Sequence, residues 1–259
     1  MSTIGTFPFG QPIKKVKQQD RTPKKVFVLG VYASAVHARW VGPGGKQLIS
    51  AVGVASEPEI FWRGDGAEEI IAAIDIPDGV GRFVPASKTL NGPSGVSLDK
   101  FFLEPLRIGR EDVWLCDLVP YSCMNDEQAK ALKREYLPRA KQFGLPEYNW
   151  GPVPDILADE DRRNQIECEI AEAQPDVLIT LGDDPLKWFA KFYGAMDHLE
   201  GYGSEKEEYG RLHPLIIDGR QINLLPLAHP RQAGRLGLHS PKWAALHDTW
   251  REQQAPSLI

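Results

Sequence analysis

Four short stretches constrain this chain more than anything else in it: KVFVLGVY (25–32), DVWLCDLVP (112–120), DVLITLG (176–182) and INLLPLAHP (222–230). Each is a nearly continuous apolar run of strand length, not an alternation of apolar and polar residues. A strand reads this way when both its faces are covered, as in the middle of a parallel sheet. KQLISAVGVA (46–55) is a further candidate strand. RLHPLIIDGRQINLL sets an Asp218-Gly219 turn between apolar runs, the signal of a hairpin feeding the last strand.

Helical patterns fill the intervals. AEEIIAAI (67–74), SLDKFFLEPL with Ser97 as its N-cap, DEQAKALKREYL (126–137) and RRNQIECEIAEA (162–173) qualify, the last placing Ile166, Ile170 and Ala173 on one face. Asp184-Pro185 and Ser240-Pro241 each set a capping residue before proline at a first helical position. After Ser240, Trp243, Leu246 and Trp250 form an apolar stripe. Strands alternating with helices predict a mostly parallel α/β sheet. Ligands of such sheets sit at the C-terminal ends of the strands. The residues that matter are therefore Gly30–Ser34, Asp117–Tyr121, Gly182–Asp184 and His229–Arg231.

The chain has 259 residues, 42% of them apolar, enough for one large α/β domain or two small ones. No apolar run reaches the length of a membrane span, and no signal-sequence pattern opens the chain. Cys116, Cys123 and Cys168 fit neither a disulfide framework nor paired zinc spacing, and a reducing cytoplasm is the predicted location. There is no P-loop, no G-x-G-x-x-G and no G-x-S-x-G, so no cofactor and no metal is expected.

The net charge of −5 hides a segregation. Residues 1–63 carry nine basic and three acidic side chains, residues 219–247 four basic and none acidic, and residues 64–218 sixteen basic and thirty acidic. Lys14, Lys15, Lys17, Arg21 and Lys24 make residues 1–24 a basic, irregular arm ahead of a single domain over 25–254. If residues 14–25 and 231–242 meet beside Gly30 and His229, they form a positive face suited to nucleic acid.

VLGVYASA, then PEIFW, NGPSGVSLDKFFLEPLRIGREDVWLCDLVP, PDVLITLGD and LPLAHP follow one another in an order that resembles the uracil-DNA glycosylase superfamily, over roughly residues 25–250. The resemblance implies a three-layer α/β/α domain around a mostly parallel four-stranded sheet. It implies DNA as partner and cleavage of the N-glycosidic bond of a flipped uracil or other deaminated or damaged base. Gly30, Val31, Tyr32, Ala33 and Ser34 correspond to the first base-contacting loop. Phe61 or Trp62 would stack near the base, and Asp117 takes the place of a base-reading asparagine. His229 is the histidine of the His-Pro motif. Arg231, Arg235, Leu236, Leu238, His239 and Lys242 fall in or just after the loop entering the DNA groove, with one leucine as wedge. The four-cysteine iron–sulfur site of some members has no counterpart.

Two departures matter. Val31, Tyr32 and Ala33 stand where many members carry a carboxylate or asparagine that places water, leaving Glu57, Glu59 and Asp117 as substitutes. An ionised Asp117 only accepts hydrogen bonds, whereas asparagine also donates. Protonation through burial would restore the donor. A catalytically inert base-binding member and a hydrolase of small nucleosides or nucleotides remain as alternatives.

Overall fold

The structure, a computed structural model describing residues 4–87, 89–205, 207–233 and 239–259, contains eight strands among those residues. In chain order they are β1 (Val26–Tyr32), β2 (Ala35–Val41), β3 (Gln47–Ser56), β4 (Arg82–Pro85), β5 (Val113–Val119), β6 (Val177–Leu181), β7 (His213–Ile217) and β8 (Arg220–Leu227). The α-helices are α1 (Ala67–Ala72), α2 (Pro93–Leu98), α3 (Asp126–Ala131), α4 (Leu137–Phe143), α5 (Glu160–Ala173), α6 (Asp183–Trp188) and α7 (Pro241–Gln253). The chain divides into two compact units. The first holds residues up to Val16, Tyr32–Pro93 and Pro120–Asp155; the second holds Lys17–Val31, Ser94–Val119 and Ile156–Ile259.

The second unit is built on a mixed five-stranded sheet in the order β5-β1-β6-β8-β7. The four apolar runs are its four adjacent strands, and every residue of β5 and β6 is buried. β1 pairs parallel with β6, and β6 with β8. The sheet has five strands where four are expected. The hairpin accounts for the difference: Asp218 (φ 47°) and Gly219 (φ 74°) turn the chain tightly enough to lay β7 antiparallel on β8.

The helices of this unit follow their patterns with two corrections. α5 is capped by Asp159, whose side chain accepts from the Arg162 N–H, and it buries Ile166, Ile170 and Ala173. Ser240 caps α7 through the Trp243 N–H, and Leu246, His247 and Trp250 are buried. Ser97, however, is no N-cap. Its helix starts at Pro93, a favoured first-turn residue, and buries Ser97 inside α2. Asp184 does not cap α6 either. Gly182, at φ 86° and ψ −168°, is the cap, so Asp183 and Asp184 lie in the first turn. The Asp183 carboxylate accepts from the Leu199 N–H at 2.7 Å.

The first unit holds an antiparallel sheet in the order β3-β2-β4, in which the 46–55 candidate strand is β3. Its core surrounds Trp40, with Phe9 edge-on at 5.2 Å and Tyr136 at 6.1 Å. The apolar residues of the basic N-terminal segment, Phe7, Phe9 and Ile13, are buried in this core. The Tyr136 hydroxyl accepts from the Phe9 N–H and donates to the Pro146 carbonyl. Among the described residues no helix is long and apolar enough to cross a membrane.

Candidate active site

His229 follows β8, at the C-terminal end of the parallel strands, and its residue is clamped by its own backbone. Its N–H donates to Gln232 Oε1 at 3.0 Å, and its carbonyl accepts from the Ala233 N–H at 2.9 Å. Gly182 closes against it from the end of β6. A Cβ at position 182 would lie 3.0 Å from the His229 Cβ, and the positive φ there already favours glycine. Imidazole Nδ1 accepts from the Arg231 backbone N–H at 3.2 Å. Burial, reinforced by the neighbouring Arg231 and His239, pushes the ring's pKa down to about 4. At neutral pH the ring is therefore uncharged. With Nδ1 occupied as an acceptor, its proton sits on Nε2, which is presented as a donor.

Asp117 is buried near the end of β5. Burial is the main cause that pushes its pKa up to about 7; Glu169 adds to the rise and Arg162 opposes it. Near neutral pH the carboxyl is thus divided between its protonated and ionised forms. Arg162, from α5, holds this strand end by its backbone: its guanidinium donates to the carbonyls of Asp117 at 2.6 Å and Leu118 at 3.0 Å. Glu169 pairs with Arg162 at 3.3 Å and accepts from the Trp114 indole N–H. β1 and β6 separate β5 from β8, so Asp117 and His229 hang from backbones roughly 14 Å apart at the usual strand spacing.

Gly30 and Val31 lie near the end of β1 and are the last residues of that segment in the same unit, Gly30 buried and Val31 partly exposed. Tyr32, Ala33 and Ser34 belong to the first unit. There Tyr32 is exposed, Ala33 is buried, and the Ser34 N–H donates to Glu57 Oε1 at 3.0 Å. Glu57 is buried and Glu59 only partly so. Trp62 packs in the first unit's core and donates from its indole to the Asp65 carbonyl at 2.9 Å. Phe61 has a left-handed φ of 52° and keeps part of its surface exposed.

Of the expected groove-entering residues, Arg231 and His239 are exposed. Lys242 pairs with Glu200 at 3.0 Å. Arg235, Leu236 and Leu238 lie outside the described residues.

The expected positive face needs correction. Residues 20–25 lie at the starts of the strands, not at their ends. The Lys24 N–H bonds the Ala173 carbonyl, and the Lys25 carbonyl accepts from the Asp176 N–H just ahead of β6. Seven residues of β1 separate Lys25 from the far end of that strand, roughly 20 Å. Two of these cations also serve the fold: Arg21 pairs with Glu172, and Lys24 with Asp20 and the Glu111 carbonyl. The count of charges along the chain could not reveal this, because it carries no information about which end of a strand a cation flanks.

No protein-family model matches the chain, and no curated protein matches it. Among the residues that shape the site, Gln232, Arg162, Tyr209 and His247 were not legible as such. Gln232 and Arg162 act through backbone groups, a role no side-chain motif announces. Tyr209 lies outside every recognised pattern. His247 falls within the α7 stretch but off its Trp243, Leu246 and Trp250 stripe.

Proposed function

We propose that this chain is an N-glycosidase of the uracil-DNA glycosylase type, acting on a flipped uracil or another deaminated or damaged base in DNA. The four adjacent strands and their helices are read as that superfamily's three-layer α/β/α core. The observation that carries the proposal is the state of His229 at the C-terminal end of the sheet: neutral, rigidly held, and with no partner for its Nε2–H among the described residues. Cleavage of a glycosidic bond leaves negative charge on the departing base, and a preorganised donor aimed at that charge lowers the barrier. A neutral donor can do this without having to shed a proton afterwards. A protonated Asp117 offers one donor and one acceptor to a base edge, the pair an asparagine amide offers.

A hydrolase of small nucleosides is the second reading. It is favoured by the position of residues 20–25, which takes Arg21, Lys24 and Lys25 out of the positive face that duplex DNA would need. One experiment separates the two. The protein is incubated with oligonucleotides each carrying a single altered base, followed by alkaline cleavage, and in parallel with the corresponding free nucleosides. Strand breaks at one altered base support the glycosylase; base release from nucleosides alone supports the second reading; no release from either overturns both.

A further inference from the structure

The residue before His229 is held by a buried hydrogen-bond chain that runs through two side chains far away in sequence. The Ala228 N–H donates to the Tyr209 hydroxyl at 2.9 Å. The same hydroxyl lies 2.9 Å from His247 Nδ1, and His247 Nε2 lies 3.0 Å from the Phe101 carbonyl. Tyr209, Ala228 and His247 are all buried.

With the His247 ring neutral, the direction of this chain is fixed. A backbone N–H can only donate, so the Tyr209 oxygen accepts from Ala228. A carbonyl can only accept, so His247 Nε2 carries the proton that bonds Phe101. A neutral ring protonated on Nε2 has a bare Nδ1, which takes the single hydroxyl proton of Tyr209. All the polar atoms of the two side chains then have a partner: the Tyr209 oxygen accepts from Ala228 and gives its proton to His247 Nδ1, and His247 Nε2 donates to the Phe101 carbonyl. The surroundings fix the rings as well: Phe102 lies 4.4 Å and Trp250 5.1 Å from the His247 ring, and Trp243 lies 5.9 Å from that of Tyr209.

We infer that Tyr209 and His247 are positioning residues for His229, locking the peptide before it to α7 and to the Phe101 carbonyl. This rests on the reading of His229 as the donor to the leaving base. The chain joins the two stems of the segment between His229 and α7: one stem is Ala228, and the other is the helix that carries His247. His229 thereby gains a third backbone anchor beyond the Gln232 and Ala233 bonds. The first anchor acts on its own amide, the second on its own carbonyl, and this one on the preceding residue.

The test uses the full-length protein with Tyr209→Phe, His247→Gln and His247→Leu. Three readouts are taken: single-turnover cleavage of the altered-base oligonucleotide for the chemical step, steady-state cleavage for kcat and KM, and the 15N resonances of the His229 ring. Tyr209→Phe should lower the cleavage step by about 10- to 100-fold, the scale of a small misplacement of a reacting group, with KM little changed. It should also move the His229 signals away from the pure Nε2–H pattern. His247→Gln, whose amide can accept from Tyr209 and donate to Phe101, should keep most of the rate. His247→Leu, which can do neither, should lose it as Tyr209→Phe does.

A folded Tyr209→Phe protein with wild-type kcat and unchanged His229 resonances overturns the inference. If Tyr209→Phe does not fold, the glutamine and leucine variants decide, and equal rates for those two overturn it. A wild type that cleaves no altered base sinks the glycosylase reading alone, because the His229 resonances still report whether Tyr209 and His247 position the ring.

Discussion

His229 and Asp117 have pKa values displaced in opposite directions, and the pair defines a pH window. A buried histidine whose pKa is pushed down to about 4 is neutral at any pH above that value. A buried carboxyl whose pKa is pushed up to about 7 is protonated at any pH below it. The form assigned here to catalysis has a neutral His229 and a protonated Asp117. Cleavage should therefore rise with pH through about 4, as His229 loses its extra proton, and fall through about 7, as Asp117 ionises. Asp117→Asn keeps a donor and an acceptor at every pH, so it should abolish the upper limb and leave the lower one. An upper limb that survives in Asp117→Asn assigns that titration to another group. The donor itself is tested by His229→Ala, which should lower single-turnover cleavage by on the order of 10²–10³, the cost of losing one donor to a developing anion. DNA affinity should change little. An intact rate in His229→Ala removes the mechanism.

At the scale of elements, the buried strands were the most legible part, because a run such as Val177–Leu181 has no polar face to mislead the reading. The Asp218-Gly219 hairpin was legible for a similar reason: both residues take positive φ, and that pair of residue types tolerates it. Gly219→Val should cost about 1–2 kcal/mol, the penalty of a β-branched side chain in left-handed backbone. A lower denaturation midpoint at constant m-value is the expected signature; an unchanged midpoint shows that the turn does not depend on glycine. β2 was not legible. Its sequence AVHARWV mixes His37 and Arg39 into an apolar run, and two different edges pair with it. The helix starts at Pro93 and Asp183 were misplaced because a serine and an aspartate nearby offered themselves as caps, while backbone geometry at Gly182 chose the start of α6. For the site, the strand-end histidine stood out through its neighbours in sequence. The groups that hold it come from Gly182, Tyr209 and Gln232, and proximity of that kind is made only by folding.

For the whole molecule, the decisive question is how much of the positive charge meets phosphate. Binding of DNA should weaken with salt at a slope near −0.9 per phosphate neutralised. Replacing Arg231 and Arg235 by alanine should make that slope shallower. Lys25→Ala, altering an exposed cation at the start of β1, should leave it unchanged. A slope that responds to Lys25 instead places the DNA at the other end of the strands, and undetectable binding at low salt favours the nucleoside hydrolase. The same division of the chain into interleaved segments also bears on its synthesis. Every residue of the first unit has been made once Asp155 is in place, but β1, made early, has to wait for β6: Val26 pairs with Val177. At ribosomal speeds of about 5–20 residues per second, those intervening residues take roughly 8–30 s to appear. For that interval the nascent chain displays an apolar strand that still lacks at least one of its two sheet neighbours, β5 being complete at Val119 and β6 only at Leu181, so the burden on the cell's holding chaperones falls on the sheet that carries the chemistry.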